Sequence, residues 1–166
     1  WPATQVVGGT GTAVQRVVAG AARKFVGAIA TEEPIGAITA EQAKALGMKS
    51  SSFRNPEGLT VAGHVTTARD LATLATRLMR DFPDFVGYYA IQRYRYPGTP
   101  SANDTNRNLL LFRDPTVDGL KTGHTESAGY CMVGSAKRDD RRLISVIFGA
   151  DSDSLRATGT EDADHA

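Results

Sequence analysis

The chain has 166 residues, 41% of them hydrophobic and 22% charged, which suits one folded domain with a core and neither two domains nor a disordered chain. Nineteen basic against eighteen acidic residues leave a formal charge of +1, so electrostatics offer no case for nucleic acid or an anionic membrane surface as a partner. No apolar run reaches the roughly 18 residues of a membrane span, and the single Cys131 in GYCMVG cannot close an internal disulfide, so it reads as a buried small hydrophobe.

The chain opens on Trp1 instead of Met and carries no n-region and h-region pattern, so it reads as a processed product or a fragment without a signal peptide of its own. Gln15 to Ala30 has the spacing of a modest amphipathic helix. Thr39 to Gln42 has the form of a capping box opening the short helix AEQAKALGM, which Gly47 would end. Ser50 to Leu59 holds Asn55, Pro56 and Gly58 and reads as loop. His64, just ahead of the next helix, reads as a loop or capping residue and not as a base.

The clearest helix starts at Thr67, with Asp70 in its first turn and Leu71, Leu74, Ala75, Leu78 and Met79 on one face, and ends at Asp81, Phe82 and Pro83. Arg93 to Tyr96 alternates like a strand, and Thr99 to Asn108 reads as an exposed polar loop. Three strand-like runs follow, TVDGLKT, GYCMVGSAK and RRLISVIFGA, the last two joined at Asp139 and Asp140. They predict an antiparallel meander. Residues 151–166 turn acidic and lose periodicity, reading as a solvated tail or a helix cut short.

VDGLKTGHTESAGY is the stretch with chemistry in it. Lys121 is followed by a hydroxyl, a glycine that lets another backbone approach, a histidine and a second hydroxyl. A cation and hydroxyls on a strand edge suit an anionic group held by charge-assisted hydrogen bonds, and the edge can pair with an extended peptide. No metal motif, phosphate loop or Gly-x-Ser-x-Gly accompanies it.

Taken with NRNLLL, TTARDLATLA and LGMKSSSFRNPEGL, in order from about Ala40 to about Ala150, this stretch resembles the low-molecular-mass penicillin-binding proteins. These are the serine-type D-alanyl-D-alanine carboxypeptidases, relatives of the serine β-lactamases. The resemblance implies an α+β, β-lactamase-like fold, present here as a partial domain with an antiparallel sheet against helices. Its division would be a poorly matched segment 1–38, the partial catalytic domain 39–150 and the acidic tail 151–166. It implies an acyl-transfer hydrolase needing no metal or other cofactor, working outside the cytoplasmic membrane. Its partners would be a peptidoglycan stem peptide ending in D-Ala-D-Ala and β-lactam antibiotics. In that family a serine attacks the penultimate D-Ala carbonyl, backbone N–H groups hold the oxyanion, and water releases the acyl-enzyme.

By the same resemblance, Lys121, Thr122 and Gly123 form the catalytic strand, and His124 and Thr125 shape the end of the substrate groove. Arg107 and Arg156 fall where the family places arginines near the substrate's terminal carboxylate, for which a guanidinium is chemically suited. Beside this stands the plainer reading of surface arginines, favoured for Arg156 because no helix is evident after it. The family's Ser-x-x-Lys nucleophile motif is absent from the sequence: Ser50, Ser51 and Ser52 have no lysine at that spacing, and Ser135 and Lys137 lie one residue too close. Ser101 and Asn103 spell Ser-x-Asn, but they fall after the TARD helix instead of before it and read as a turn. The expectation is a piece inactive alone, with a non-catalytic D-Ala-D-Ala peptide-binding relative and, less well supported, a serine β-lactamase as alternatives.

Overall fold

The computed structural model describes residues 41–165 apart from 56–57, 96, 99 and 101–102. The helix expected from Gln15 to Ala30, the Thr39 cap and Ser101 lie outside the described residues. Residues 41–45 are helical (α1). The Gly47 N–H reaches the Lys44 carbonyl and the Met48 N–H the Ala43 carbonyl, the paired closing bonds of a Schellman motif, with Gly47 at φ +82° where a glycine is needed.

Helix α2, Ala68–Asp81, begins as its sequence predicts: the Thr67 hydroxyl accepts the Asp70 N–H at 3.2 Å. Its apolar stripe of Leu71, Ala75, Leu78 and Met79 is buried, together with Ala72, while Leu74 packs at the margin. Phe82 caps it, and a 3₁₀ turn, Pro83–Phe85, leads into the short α3, Val86–Tyr89. A second 3₁₀ turn, Leu109–Phe112, is capped by Asn108.

The predicted meander is present as a three-stranded antiparallel sheet in the order β1-β2-β3, with β1 Val117–Thr125, β2 Gly129–Arg138 and β3 Arg141–Ala150. Arg138 pairs with Arg141, leaving Asp139 and Asp140 as the two-residue loop, and Asp139 takes φ 55°, a conformation aspartate tolerates. A register shift between Val117 and Gly119 bends the start of β1. Helices cover both faces. Ile144 and Val146 of β3 meet Leu71, Ala75 and Leu78 of α2 in one core, whereas Met132 and Ala136 of β2 meet Leu110, Leu111, Val117 and Ala157 in the other.

Three segments depart from the sequence reading. Arg93 to Tyr96 forms no strand among its described residues, only a bridge between Arg93 and Thr105. Arg93, Tyr94 and Arg95 are all exposed, so the alternation has no apolar face to bury. The polar loop up to Asn108 is not exposed throughout: Asn108 is 3% exposed. Of the two readings of the segment after residue 150, the solvated acidic tail gives way and the helix holds. Helix α4, Asp153–His165, turns Arg156, Ala157 and Thr160 onto the sheet, all three buried. One arginine, one alanine and one threonine make no hydrophobic stripe, so the sequence carries no periodic signal for it. The docking is permitted by Gly134, where a Cβ would fall 2.8 Å from the Thr160 Cγ2.

Candidate functional site

Strand β1 extends past the predicted TVDGLKT to Thr125, so Lys121, Thr122, Gly123, His124 and Thr125 all lie on one strand. It pairs with β2 on one side only, and no third strand borders it among the described residues. Its start is anchored from within the fold: the Asn108 side chain donates to the Gly119 carbonyl at 3.1 Å while its oxygen accepts the Leu110 N–H at 3.1 Å. Gly119 packs closely against the short helix α3, where a Cβ would lie 3.0 Å from Tyr89 Cβ.

Lys121 is half-buried and its ammonium donates to the Thr122 carbonyl. Burial first, then the positive charges of Arg156 and Arg107, hold its pKa below the ordinary lysine value. The positive charges of Arg107 and Arg156 thus reach Lys121, which makes the middle of β1 electropositive.

Arg156 is not a surface arginine. It is 3% exposed, donates to the Gly123 carbonyl at 3.2 Å and to the Arg107 carbonyl at 3.2 Å, pairs with Asp153 one turn back, and lies 5.5 Å over the Tyr130 ring. One side chain therefore ties α4 to the strand and to the loop that carries Arg107. Arg107 itself is exposed, in keeping with the plainer reading of its side chain.

At the far end of β1, His124 is exposed and stacks on its cross-strand partner Tyr130 with ring centroids 4.1 Å apart. Thr125, Ser127 and Thr60 bring three hydroxyls together, Thr60 to Ser127 at 2.9 Å and Thr125 at 3.4 Å from each of the other two. This seats the Asn55 loop against the strand end. Asn55 closes that loop, its oxygen accepting the N–H groups of Gly58 and Leu59.

His64, expected as a loop or capping residue, is a buried loop residue. It is 1% exposed, packs edge-on against Phe53 and accepts the Arg54 N–H at Nδ1. Cys131, opposite Gly123 in the sheet, is buried, and burial pushes its thiol up. Sequence reasoning gave Asn108, Tyr130 and Asp153 no role of their own and read Asp70 only as a first-turn residue of its helix. Asp70, buried at the head of α2, accepts from the Ser50 N–H and the Ser51 hydroxyl, so Ser51 is engaged in holding its loop. Asn103, from the Ser-x-Asn string, is exposed, and its N–H closes a turn onto the Pro100 carbonyl.

The profile of the D-alanyl-D-alanine carboxypeptidase family matches residues 10–152. Similar curated proteins include the D-alanyl-D-alanine carboxypeptidase DacC of Escherichia coli K12, 41% identical over 72% of this chain and 29% of its own length. DacF of Bacillus subtilis 168 is 41% identical over 66% of this chain and 28% of its own. Among solved structures, penicillin-binding protein D2 of Listeria monocytogenes in its cefotaxime-bound form superposes with a TM-score of 0.71 at 32% identity, over 79% of this chain and 53% of that one. The chain thus spans under a third of the length of each of these two curated relatives, and the fold is that of the penicillin-binding proteins.

Proposed function

This chain belongs to the D-alanyl-D-alanine carboxypeptidase family, and on that premise we propose that β1 is the substrate-holding wall of a site that removes the terminal D-Ala from peptidoglycan stem peptides through an acyl-serine. The observation that carries the reading is the strand Val117–Thr125: an edge with no partner strand among the described residues, a half-buried lysine, and two arginines whose charges reach it. An extended peptide pairs along the edge by backbone hydrogen bonds. Its carboxylate is drawn toward Lys121 by charge, with the exposed Arg107 guanidinium as the group free to grip it. Arg156, engaged with Gly123, Arg107 and Asp153, holds the wall in shape and adds charge from behind.

Lys121 serves in two ways. As an ammonium it attracts the carboxylate and polarises a hydroxyl beside it. Its depressed pKa also makes it a better proton carrier than an ordinary surface lysine. Thr122 and Gly123 line the groove, and His124 and Thr125 shape its end. The sequence contains no Ser-x-x-Lys, so this chain supplies the binding wall and not the acylated serine. β-Lactams, which carry a carboxylate and an acylating carbonyl, would lie along the same strand. The reaction belongs outside the cytoplasmic membrane, where peptidoglycan is found; among the described residues no helix is long and apolar enough to cross a membrane.

The test is an NMR titration of the 166-residue chain with an N-acetylated tripeptide ending in D-Ala-D-Ala. Shifts concentrated at Lys121–Thr125, weakened in Lys121→Ala and absent for the C-terminal amide, support the reading. Shifts elsewhere, or none, overturn it. Intact-mass measurement after benzylpenicillin treatment is expected to show no adduct, and an adduct would place the nucleophile within this sequence.

A further inference from the structure

Among the described residues the sheet has two open sides, one along β1 and one along β3. They are built differently. β1 carries Lys121 and the exposed His124 and is bent by its register shift near Val117, and charge and irregularity of this kind blunt an edge against other strands. On β3 the run Leu143–Phe148 holds no charge, no proline and no glycine. Helices also cover both of its faces: Ile144 and Val146 lie in the core with α2, and α4 packs on the other side. A strand apolar and covered on both faces has the pattern of a sheet interior, yet β2 is its sole strand neighbour among the described residues.

The hairpin fixes which backbone groups face the open side. Arg138 and Arg141 pair across the two-residue loop, while the Lys137 N–H points away from β3, to the Thr116 carbonyl. Strand alternation therefore turns the N–H and C=O of Leu143 and Ser145 toward β2. Those of Arg142, Ile144 and Val146 point to the side that no described strand borders. A row of backbone donors and acceptors beside apolar side chains is a template for another strand.

We infer that this side of β3 is an interface with a second copy of the chain, the two β3 strands pairing antiparallel about a two-fold axis near Ser145. Charge complementarity favours this occupant. Antiparallel pairing brings Arg141, exposed at the start of one strand, to the Ala150 end of the other, where Asp151 is exposed. The two-fold axis makes that contact twice, and neither side chain has an ion-pair partner among the described residues. Each copy carries one such edge, so the contact closes as a dimer and does not propagate.

Sedimentation equilibrium of the 166-residue chain across the micromolar range, with hydrogen exchange on the same samples, tests the interface. A monomer–dimer equilibrium is expected, with the Arg142, Ile144 and Val146 amides gaining protection as dimer forms. Arg141→Glu and Asp151→Arg each set like charges against one another at both ends of the contact. Each is expected to weaken the dimer about tenfold at low salt. The double variant Arg141→Glu with Asp151→Arg restores opposite charges and is expected to recover most of the affinity. Both positions are exposed, so these changes leave the core untouched. A monomer at every concentration, a dimer that leaves those amides unprotected, or protection already complete in the monomer overturns the interface. So does a double variant that associates no more tightly than either single one.

Discussion

Arg156 of α4 donates to the carbonyl of Gly123 in β1 at 3.2 Å. A helix that follows the whole sheet in sequence thereby grips the strand that opens it, 33 residues earlier. The same guanidinium reaches the Arg107 carbonyl, so three separate segments are registered by one planar fork of donors.

Removing that fork leaves two carbonyls and the Asp153 carboxylate without it. Arg156→Ala is expected to lower unfolding stability by about 1–3 kcal/mol, the lower part of the range reflecting the exposed side of Asp153. Arg156→Lys is expected to recover little, since one ammonium does not span both carbonyls. Urea titration of the three proteins checks this, and a lysine variant as stable as the wild type would contradict the fork argument.

Gly134 lies where α4 docks on β2. A methyl at this position would sit 2.5 Å from the Ser145 Oγ and 2.8 Å from the Thr160 Cγ2. Gly134→Ala is expected to destabilise by about 1–3 kcal/mol through overpacking. The double variant Gly134→Ala with Thr160→Ser, which removes one of the two clashing groups, should recover part of the loss. Thermal melts decide it, and additivity of the two changes would argue against the clash.

Asn108 couples the NRN segment to the start of β1 through its bond to the Gly119 carbonyl. Asn108→Asp keeps the acceptor for the Leu110 N–H but loses the donor. It is expected to cost about 1–3 kcal/mol, because an acceptor is set against a buried carbonyl. Amide hydrogen exchange should show the protection of Gly119–Thr125 falling more than that of β3. Uniform loss across the sheet would refute a local anchor.

Lys121 has a folded-state pKa below its unfolded one, and the sign follows. Where both states are protonated, at neutral pH, burying the ammonium disfavours folding. The penalty fades as pH rises from the depressed pKa toward the ordinary value near 10.5. Lys121→Met, similar in length and uncharged, is therefore expected to be more stable than the wild type at pH 7, with the difference shrinking toward pH 10. Stability curves at several pH values test this, and a pH-independent difference would assign the effect to packing. Arg107→Ala should raise the Lys121 pKa, a shift readable by NMR titration of the lysine side chain.

Much of the site strand was legible in the sequence for simple reasons. Strand periodicity, the Asp139 and Asp140 turn, and the Thr67 cap with its leucine stripe are local signals, set by backbone sterics and by hydrogen bonds a few residues long. The family resemblance drew on the same stretches, and the profile match over residues 10–152 agrees with it. Arg93 to Tyr96 misled because alternation alone does not make a strand: a strand also needs one face buried, and Arg93, Tyr94 and Arg95 are all exposed.

By itself, then, the sequence determined which segments form the sheet and α2 and which strand carries the lysine, because those depend on neighbours in the chain. Tertiary structure alone decided that 153–165 docks on the sheet as a helix and is not a solvated tail, that Arg156 is buried behind Gly123, and that Asn108 pins Gly119. Each of these depends on groups 11 or more residues apart meeting in space, where the cost of placing a charge or a carbonyl is set by what packs around it and not by its place in the chain.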